Sequence, residues 1–365
     1  MGEHRVTING RFLTQPLSGV QRYAAEIVRA LDELLASGEA GHGMRDVRLV
    51  APPGAEPPDG LRRIAFERAG GGSGHLWDQL TLSRAARGGS LLSLAGSGPL
   101  FHPDHLAVIH DAAVYRHPEH FSRAYGVAHR TLGRILARTA RLATVSEFSR
   151  AELADVLRVP ASGIAVAPNG WEHLARIAPE AGIAERLVGR SPYFVTVGNL
   201  TPNKNLAVAI EAFSGLPAGA AKLVVVGRAD PSIFGNAGTG AANPDVIFAG
   251  RLDDAALAGL LRDARALVFP SIYEGFGIPP LEAMAAETRV LASRAGAVVE
   301  VCDGVADPFD AHDAGELQRL MAGVLAEAPN ERARRVAAGR TRLERYSWTA
   351  SARILLAALL RRPAN

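Results

Sequence analysis

The chain is short of cysteine, of lysine and of long apolar runs, and each shortage narrows what it can be. One cysteine, Cys302, in 365 residues excludes an internal disulfide and any all-cysteine metal site, and it reads as a buried spectator. No run of eighteen or more apolar residues occurs, and the opening MGEHRVTING has neither the basic start nor the apolar centre of a signal peptide. The expectation is a cytoplasmic protein. Forty basic against thirty-seven acidic residues leave a net charge of +3, too little to point to nucleic acid as a partner. Only two of the forty basic residues are lysines, Lys204 and Lys222, so a lysine here stands out against a background of arginine. The segment 122–141 carries Arg123, Arg130, Arg134, Arg138 and Arg141 with no acid. It reads either as a solvated helix face or as a peripheral contact with the anionic inner surface of a membrane.

Hydrophobic residues at 48% and charged residues at 21% describe a globular chain, and its length predicts two domains. Short β-rich apolar runs alternate with segments of helical period, the pattern of parallel α/β sheets. Strands are expected at Val47–Ala51, Leu106–His110, Leu142–Ser146 and Ile164–Ala167. A second series is expected at Tyr193–Gly198, Lys222–Gly227, Val246–Ala249, Ala266–Pro270 and Val290–Ser293. Turn chemistry at Pro168-Asn169-Gly170 and at Ser191-Pro192 brackets a linker. The organisation is therefore a Rossmann-like domain at 1–170, a hinge-like linker at 171–190, a second such domain at 191–345 and a terminal helix at 346–365. Doubly wound sheets bind ligands at the carboxyl ends of their strands, so two sheets facing each other predict a ligand cleft.

The most specific stretch is FPSIYEGFGIPPLEAM, Phe269 to Met284. A strand ends at Pro270, a glycine-containing loop follows, and a helix is expected to begin near Pro279 or Pro280. Glu274 then lies in the loop and Glu282 a turn or less into the helix. A carboxylate beside a helix start can accept sugar hydroxyls, and the unpaired N–H groups there suit a diphosphate. Gly275 and Gly277 allow the backbone to approach such a ligand. The second stretch, VGNLTPNKNLAVAIEAF from Val197, places Lys204 at the entrance of a helix marked by Leu206, Ala209, Ile210 and Phe213. In the first half, GRFLTQPLSGVQRYAAEIVRAL runs from a strand through a loop into an amphipathic helix with Gly19 at its start. VIHDAAVYRHPEHF sets His110 and Asp111 directly after a strand, and TVSEFSRAEL offers Ser146 or Ser149 as a cap with Glu147 in the first turn.

These motifs together resemble the retaining GT-B glycosyltransferases of family 4, in a branch that builds bacterial polysaccharides, over nearly the whole chain. What the resemblance implies is specific. Glu274 binds the transferred sugar, Glu282 the donor ribose, and Lys204 neutralises the leaving diphosphate. The amides of Gly275, Phe276 and Gly277, with Ile278, Asn199 and Gly19, contact the donor. His110 lines the reaction centre, and Asp111 and Glu147 are acceptor candidates. The final RYSWTASARILLAALL looks like the helix that returns to the first domain. The donor implied is a nucleotide-diphosphate sugar, GDP-mannose slightly before UDP sugars, and the acceptor a glycan, a lipid-linked or a small molecule. Transfer would occur with retention and without metal or other cofactor, since no DxD motif or histidine cluster is evident.

Two departures qualify the resemblance. Asn203 and Asn199 stand where relatives usually carry a second phosphate-binding cation, leaving Arg228 or Arg251 to supply it. AETRV at 286–290 replaces a usual glycine-threonine-proline turn. A GT-B epimerase and an inactive nucleotide-sugar-binding subunit are the alternatives. A dinucleotide enzyme is disfavoured by the lack of GxGxxG at the first turn.

Overall fold

The structure is a computed structural model that describes residues 5–39, 46–198, 201–227 and 243–361. The chain divides into two compact units, Met1–Gly170 together with Ser347–Asn365, and Trp171–Tyr346.

The first unit is a parallel sheet of seven strands: β1 Arg5–Asn9, β2 Asp46–Ala51, β3 Ala65–Arg68, β4 Ser90–Ser93, β5 His105–Val108, β6 Arg141–Thr144 and β7 Ile164–Val166. Their order is β3-β2-β1-β4-β5-β6-β7. Covered on both faces, such strands carry continuous apolar runs rather than alternation. Ile8, Leu49, Val50, Leu91, Leu106 and Ala143 are accordingly buried. The helix Gly19–Ser37 buries Tyr23, Ile27, Val28, Leu31 and Leu34 along one face and ends at Gly38, whose φ of +80° suits a glycine C-cap.

The terminal helix Trp348–Leu360 packs in this unit, with Leu355 and Leu359 buried and Trp348 edge-on to Tyr23 at 5.9 Å. Its last carbonyls are capped by Arg141, which donates to Leu359 O at 3.0 Å, to Arg361 O at 2.6 Å and to Ala358 O, while pairing with Asp104. A cation at a helix C-terminus is stabilising, and this arginine joins residues more than two hundred positions apart. Other members of the basic segment are also engaged inside the unit. Arg130 donates to Val114 O at 3.1 Å, and Arg134 lies 5.8 Å from the Tyr115 ring centroid. No described helix is long and apolar enough to cross a membrane.

The second unit has six parallel strands: β8 Tyr193–Val197, β9 Lys222–Val226, β10 Val246–Gly250, β11 Ala266–Phe269, β12 Arg289–Ser293 and β13 Asp307–Phe309. The order β10-β9-β8-β11-β12-β13 repeats the doubly wound arrangement of the first sheet. Phe194, Val225, Val268, Leu291 and Phe309 form its core with Phe213, Leu317 and Met321 from the covering helices.

Sequence reasoning passes over β3, β4 and β13. β3 is an exposed edge strand, β4 has only four residues, and β13 carries Pro308, a residue confined to sheet edges. The linker expected at 171–190 is corrected more substantially. It holds the short helices Glu172–Ala175 and Ile183–Val188, and Glu180 N–H donates to Ala255 O at 2.8 Å. Gly259 faces Glu180 so closely that a Cβ there would stand 2.3 Å from its carbonyl oxygen. The segment is part of the second unit.

Leu355→Ala removes a fully buried side chain from the terminal helix and should cost about 2–5 kcal/mol. The measurement is the urea midpoint. A midpoint unchanged from the wild type would show that this helix does not contribute to the core of the first unit.

Candidate active site

In a doubly wound sheet the crevice opens where strand order reverses. In the second unit that point lies between β8 and β11, and the loops leaving these two strands carry Lys204 and Glu274. Backbone and side-chain bonds tie the loops together. Ile272 N–H donates to Asn203 O at 2.8 Å, and Asn205 Nδ2 donates to Pro270 O at 3.2 Å and Ala311 O at 2.6 Å. Asn205 itself has φ +52° and ψ +41°, a left-handed conformation that asparagine enters more readily than most residues. It turns the chain from the tight turn Pro202–Lys204 into the helix Leu206–Ser214.

Lys204 Nζ consequently sits 2.5 Å from Glu274 Oε1, with the lysine side chain 24% and the glutamate 13% exposed. The ammonium is also 5.6 Å from the Phe269 ring centroid. Glu274 occupies one of its three N–H donors, which leaves capacity for an anion.

The next loop leads into the helix Ile278–Ala285 through Gly277, at φ +96° and ψ +78°. A side chain there would be strained, and a Cβ would meet Phe269 at 3.4 Å. Gly275, Phe276 and Gly277 are buried, and Phe276 packs edge-on against Tyr346 at 5.5 Å. The helix starts before the two prolines rather than at them. Pro279 and Pro280 lack N–H groups, and first-turn positions have no intrahelical acceptor to lose. Glu282 is thereby the fifth helical residue, beyond the first turn where the sequence reading put it. It is 5% exposed, and its Oε1 lies 2.9 Å from His173 Nε2, itself 2% exposed. Sequence reasoning missed His173, which lies in the supposed linker 109 positions from Glu282 with no motif around it.

The first unit has its own crevice, a cavity of about 450 Å³. Arg11 and Gln15 line it after β1, Gly96 and Ser97 after β4, and His110 and Asp111 after β5. Beneath lies a polar network. Buried Asn9 donates to Asp78 Oδ1 at 3.3 Å and Ser97 O at 3.3 Å, and Arg11 Nε pairs with Asp78 Oδ2 at 3.1 Å. His110 Nε2 is 2.8 Å from Leu94 O, and a carbonyl can only accept, so Nε2 carries the proton. Tyr23 packs edge-on to the same ring at 4.8 Å. Burial pushes the His110 pKa down to about 4, so the imidazole is neutral near pH 7 with Nδ1 as its acceptor.

The remaining sequence candidates disperse. Gly19 opens its helix between Ser18 and Val20, which line the cavity. Ile278 begins the helix after Gly277, and Asn203 Oδ1 accepts from Thr201 Oγ1 at 2.5 Å. Arg251 follows the edge strand β10, two strands from the β8–β11 crevice. Ser146 caps the helix Glu147–Leu157 by accepting from Ser149 N–H at 2.9 Å. Glu147 is exposed, pairs with Arg150 and is not among the cavity-lining residues. Asn199 and Arg228 lie outside the described residues. A histidine cluster that the sequence reading did not recognise forms on the turn Pro118–His120. There the donor atoms of His117, Glu119 and His120 all lie within 4.8 Å of one another.

Two doubly wound units in one chain define the class, the GT-B fold of glycosyltransferases. The sucrose-phosphate synthase of Thermosynechococcus elongatus has this fold with a TM-score of 0.70, at 21% identity over 97% of both chains. Residues 177–342, within the second unit, match the family described as glycosyl transferases group 1. Among relatives, the O-antigen chain mannosyltransferase B of Escherichia coli is 25% identical over 269 residues, 69% of this chain and 70% of that protein. The serotype-specific mannosyltransferase WbdA of Escherichia coli is 30% identical over 172 residues, 45% of this chain. That match spans only 21% of the length of WbdA.

Two measurements probe the geometry. Asn205→Gly keeps access to the left-handed conformation and loses only the two side-chain bonds, whereas Asn205→Ala loses both. Asn205→Ala should therefore be the less stable of the two by about 1 kcal/mol in urea unfolding; equal stability would remove backbone strain from the account. For pH, burial lowers His105 to about 3 and His110 to about 4, below the usual 6.5. The unfolded chain then binds more protons, so stability is full above pH 6.5 and falls as pH drops toward those values. His105→Gln can keep a bond to Ser93 Oγ while deleting a titrating group, so it should flatten the fall of Tm between pH 6.5 and 4. A slope equal to that of the wild type would contradict this.

Proposed function

We propose that the protein is a retaining, metal-independent hexosyltransferase that uses a nucleotide-diphosphate sugar, with GDP-mannose favoured. The acceptor is a hydroxyl of a glycan, a lipid-linked or a small molecule. One observation carries the reading: a partly buried lysine ammonium, 2.5 Å from Glu274, at the strand-order reversal beside the start of the helix Ile278–Ala285.

As the bond from the anomeric carbon to the phosphate oxygen breaks, negative charge grows on the diphosphate, and a fixed cation in a partly dry site stabilises it. Lys204 takes this role, and the amides of Gly277 and Ile278 add to it. Glu274 then accepts hydroxyl protons of the transferred sugar in place of one lysine N–H. Glu282, oriented by His173, accepts from the ribose. The acceptor oxygen forms the new bond on the face the phosphate leaves, and its proton passes to the departing phosphate oxygen, so the configuration is kept. His110, neutral with Nδ1 as acceptor, supports hydroxyl binding in the first unit. The mannosyl preference rests on the two Escherichia coli relatives, both named as mannosyltransferases.

Thermal-shift titration with GDP-mannose, UDP-glucose, dTDP-glucose and ADP-glucose tests the donor, since a ligand of the native state raises Tm. GDP-mannose should give the largest shift, and no shift with any of them would sink the reading. Lys204→Ala and Glu274→Ala should each lower turnover about 10²–10³-fold while far-ultraviolet dichroism stays unchanged. Wild-type turnover in either variant would remove that residue from the site. Transfer should persist in EDTA, whereas loss restored by a divalent ion would overturn metal independence and direct attention to the His117, Glu119 and His120 turn. Release of free nucleotide and an altered sugar without acceptor would identify an epimerase instead.

A further inference from the structure

The acceptor chemistry left open above is constrained by the charge balance of the first-unit cavity. The one arginine among its described lining residues is already paired: Arg11 Nε lies 3.1 Å from Asp78 Oδ2, its Nη2 donates to Ser97 Oγ, and Asp78 is fully buried. His75 Nδ1 stands 3.7 Å from the same Asp78 oxygen. The other cavity imidazoles are neutral near pH 7, His110 through burial and His129 through burial reinforced by His75 and Arg11. The lining also contains the carboxylate of Asp111, which accepts from Ala113 N–H at 2.8 Å and whose charge adds to burial in raising the Tyr125 pKa.

One wall is aromatic. Tyr125 stacks on His129 with ring centroids 3.9 Å apart and is 47% exposed, and Phe121 continues the ladder at 5.6 Å. An apolar wall with a few neutral or acidic acceptors fits a sugar ring, whose C–H face packs on the aromatics while its hydroxyls donate to oxygen and imidazole. A phosphate would meet the Asp111 carboxylate and would have to share Arg11 with the buried carboxylate of Asp78.

Resting on the glycosyltransferase reading, we propose that this cavity binds an uncharged sugar residue at the growing end of the acceptor and rejects a phosphorylated one. Asp111 and the Tyr125–His129 wall set that choice. Glycans and lipid-linked glycans ending in a neutral sugar are thereby acceptors, and small sugar phosphates are not.

Saturation-transfer NMR on the whole protein without nucleotide tests this with two probes, methyl α-mannobioside and its 6-phosphate ester. The neutral probe should bind at least tenfold tighter. Tyr125→Ala should weaken it at least fivefold, and Asp111→Asn should narrow the gap by strengthening the ester. Thermal shift by GDP-mannose, run in parallel, reads the donor proposal separately. Neutral-selective binding lost in Tyr125→Ala supports the inference even if GDP-mannose gives no shift. Equal or tighter binding of the ester, no binding of the neutral probe, or indifference to Tyr125→Ala overturns it even where the nucleotide shift is intact.

Discussion

A lysine and a glutamate 70 positions apart in sequence meet at 2.5 Å, and the rest of the second unit is arranged around that contact. Parallel strands β8 and β11 are neighbours, so their carboxyl-end loops leave the sheet side by side. Asparagine 205 fastens the first loop to the second through Pro270 O, and to the segment after β13 through Ala311 O. Moved by even one residue, the left-handed step at this asparagine would turn the lysine out of register with the carboxylate. The ion pair is thus a product of sheet order first and of local turn chemistry second. A partly buried pair of this kind holds opposite charges ready without neutralising either permanently, which suits a ligand that carries both hydroxyls and phosphates.

The two α/β sheets were legible because alternation of apolar runs and helical period is a property of short windows. So was the placement of Lys204, Glu274 and the glycines on loops between a strand and a helix, since their spacing lies within single loops. Contacts set by tertiary packing were not legible. The His173–Glu282 pair joins a short helix in an apparent linker to the interior of another helix, and nothing near His173 announces it. The helix begins at Ile278 rather than at a proline, because Gly277 in a left-handed conformation lets it start earlier than proline alone suggests. The segment 171–190 looked like a linker for its turn residues, yet Gly259 admits it to van der Waals distance of its own unit.

The two crevices differ in electrostatic character although their sheets share one topology. The second unit presents an ammonium group and backbone amides, a setting for anions. The first presents balanced charge, neutral imidazoles and aromatic surface, a setting for hydroxylated neutral matter. Strand orders that match over six strands therefore do not imply identical ligands; the loops at the carboxyl ends decide.

The scarcity of lysine has a practical corollary. Lys222 is held 2.5 Å from Asp245, which leaves Lys204 as the other side-chain amine of the chain. Reagents that acylate primary amines thus have very few places to react, and one of them is the crevice itself. The mass of a single tryptic peptide records whether that crevice is occupied, making the protein its own footprinting probe.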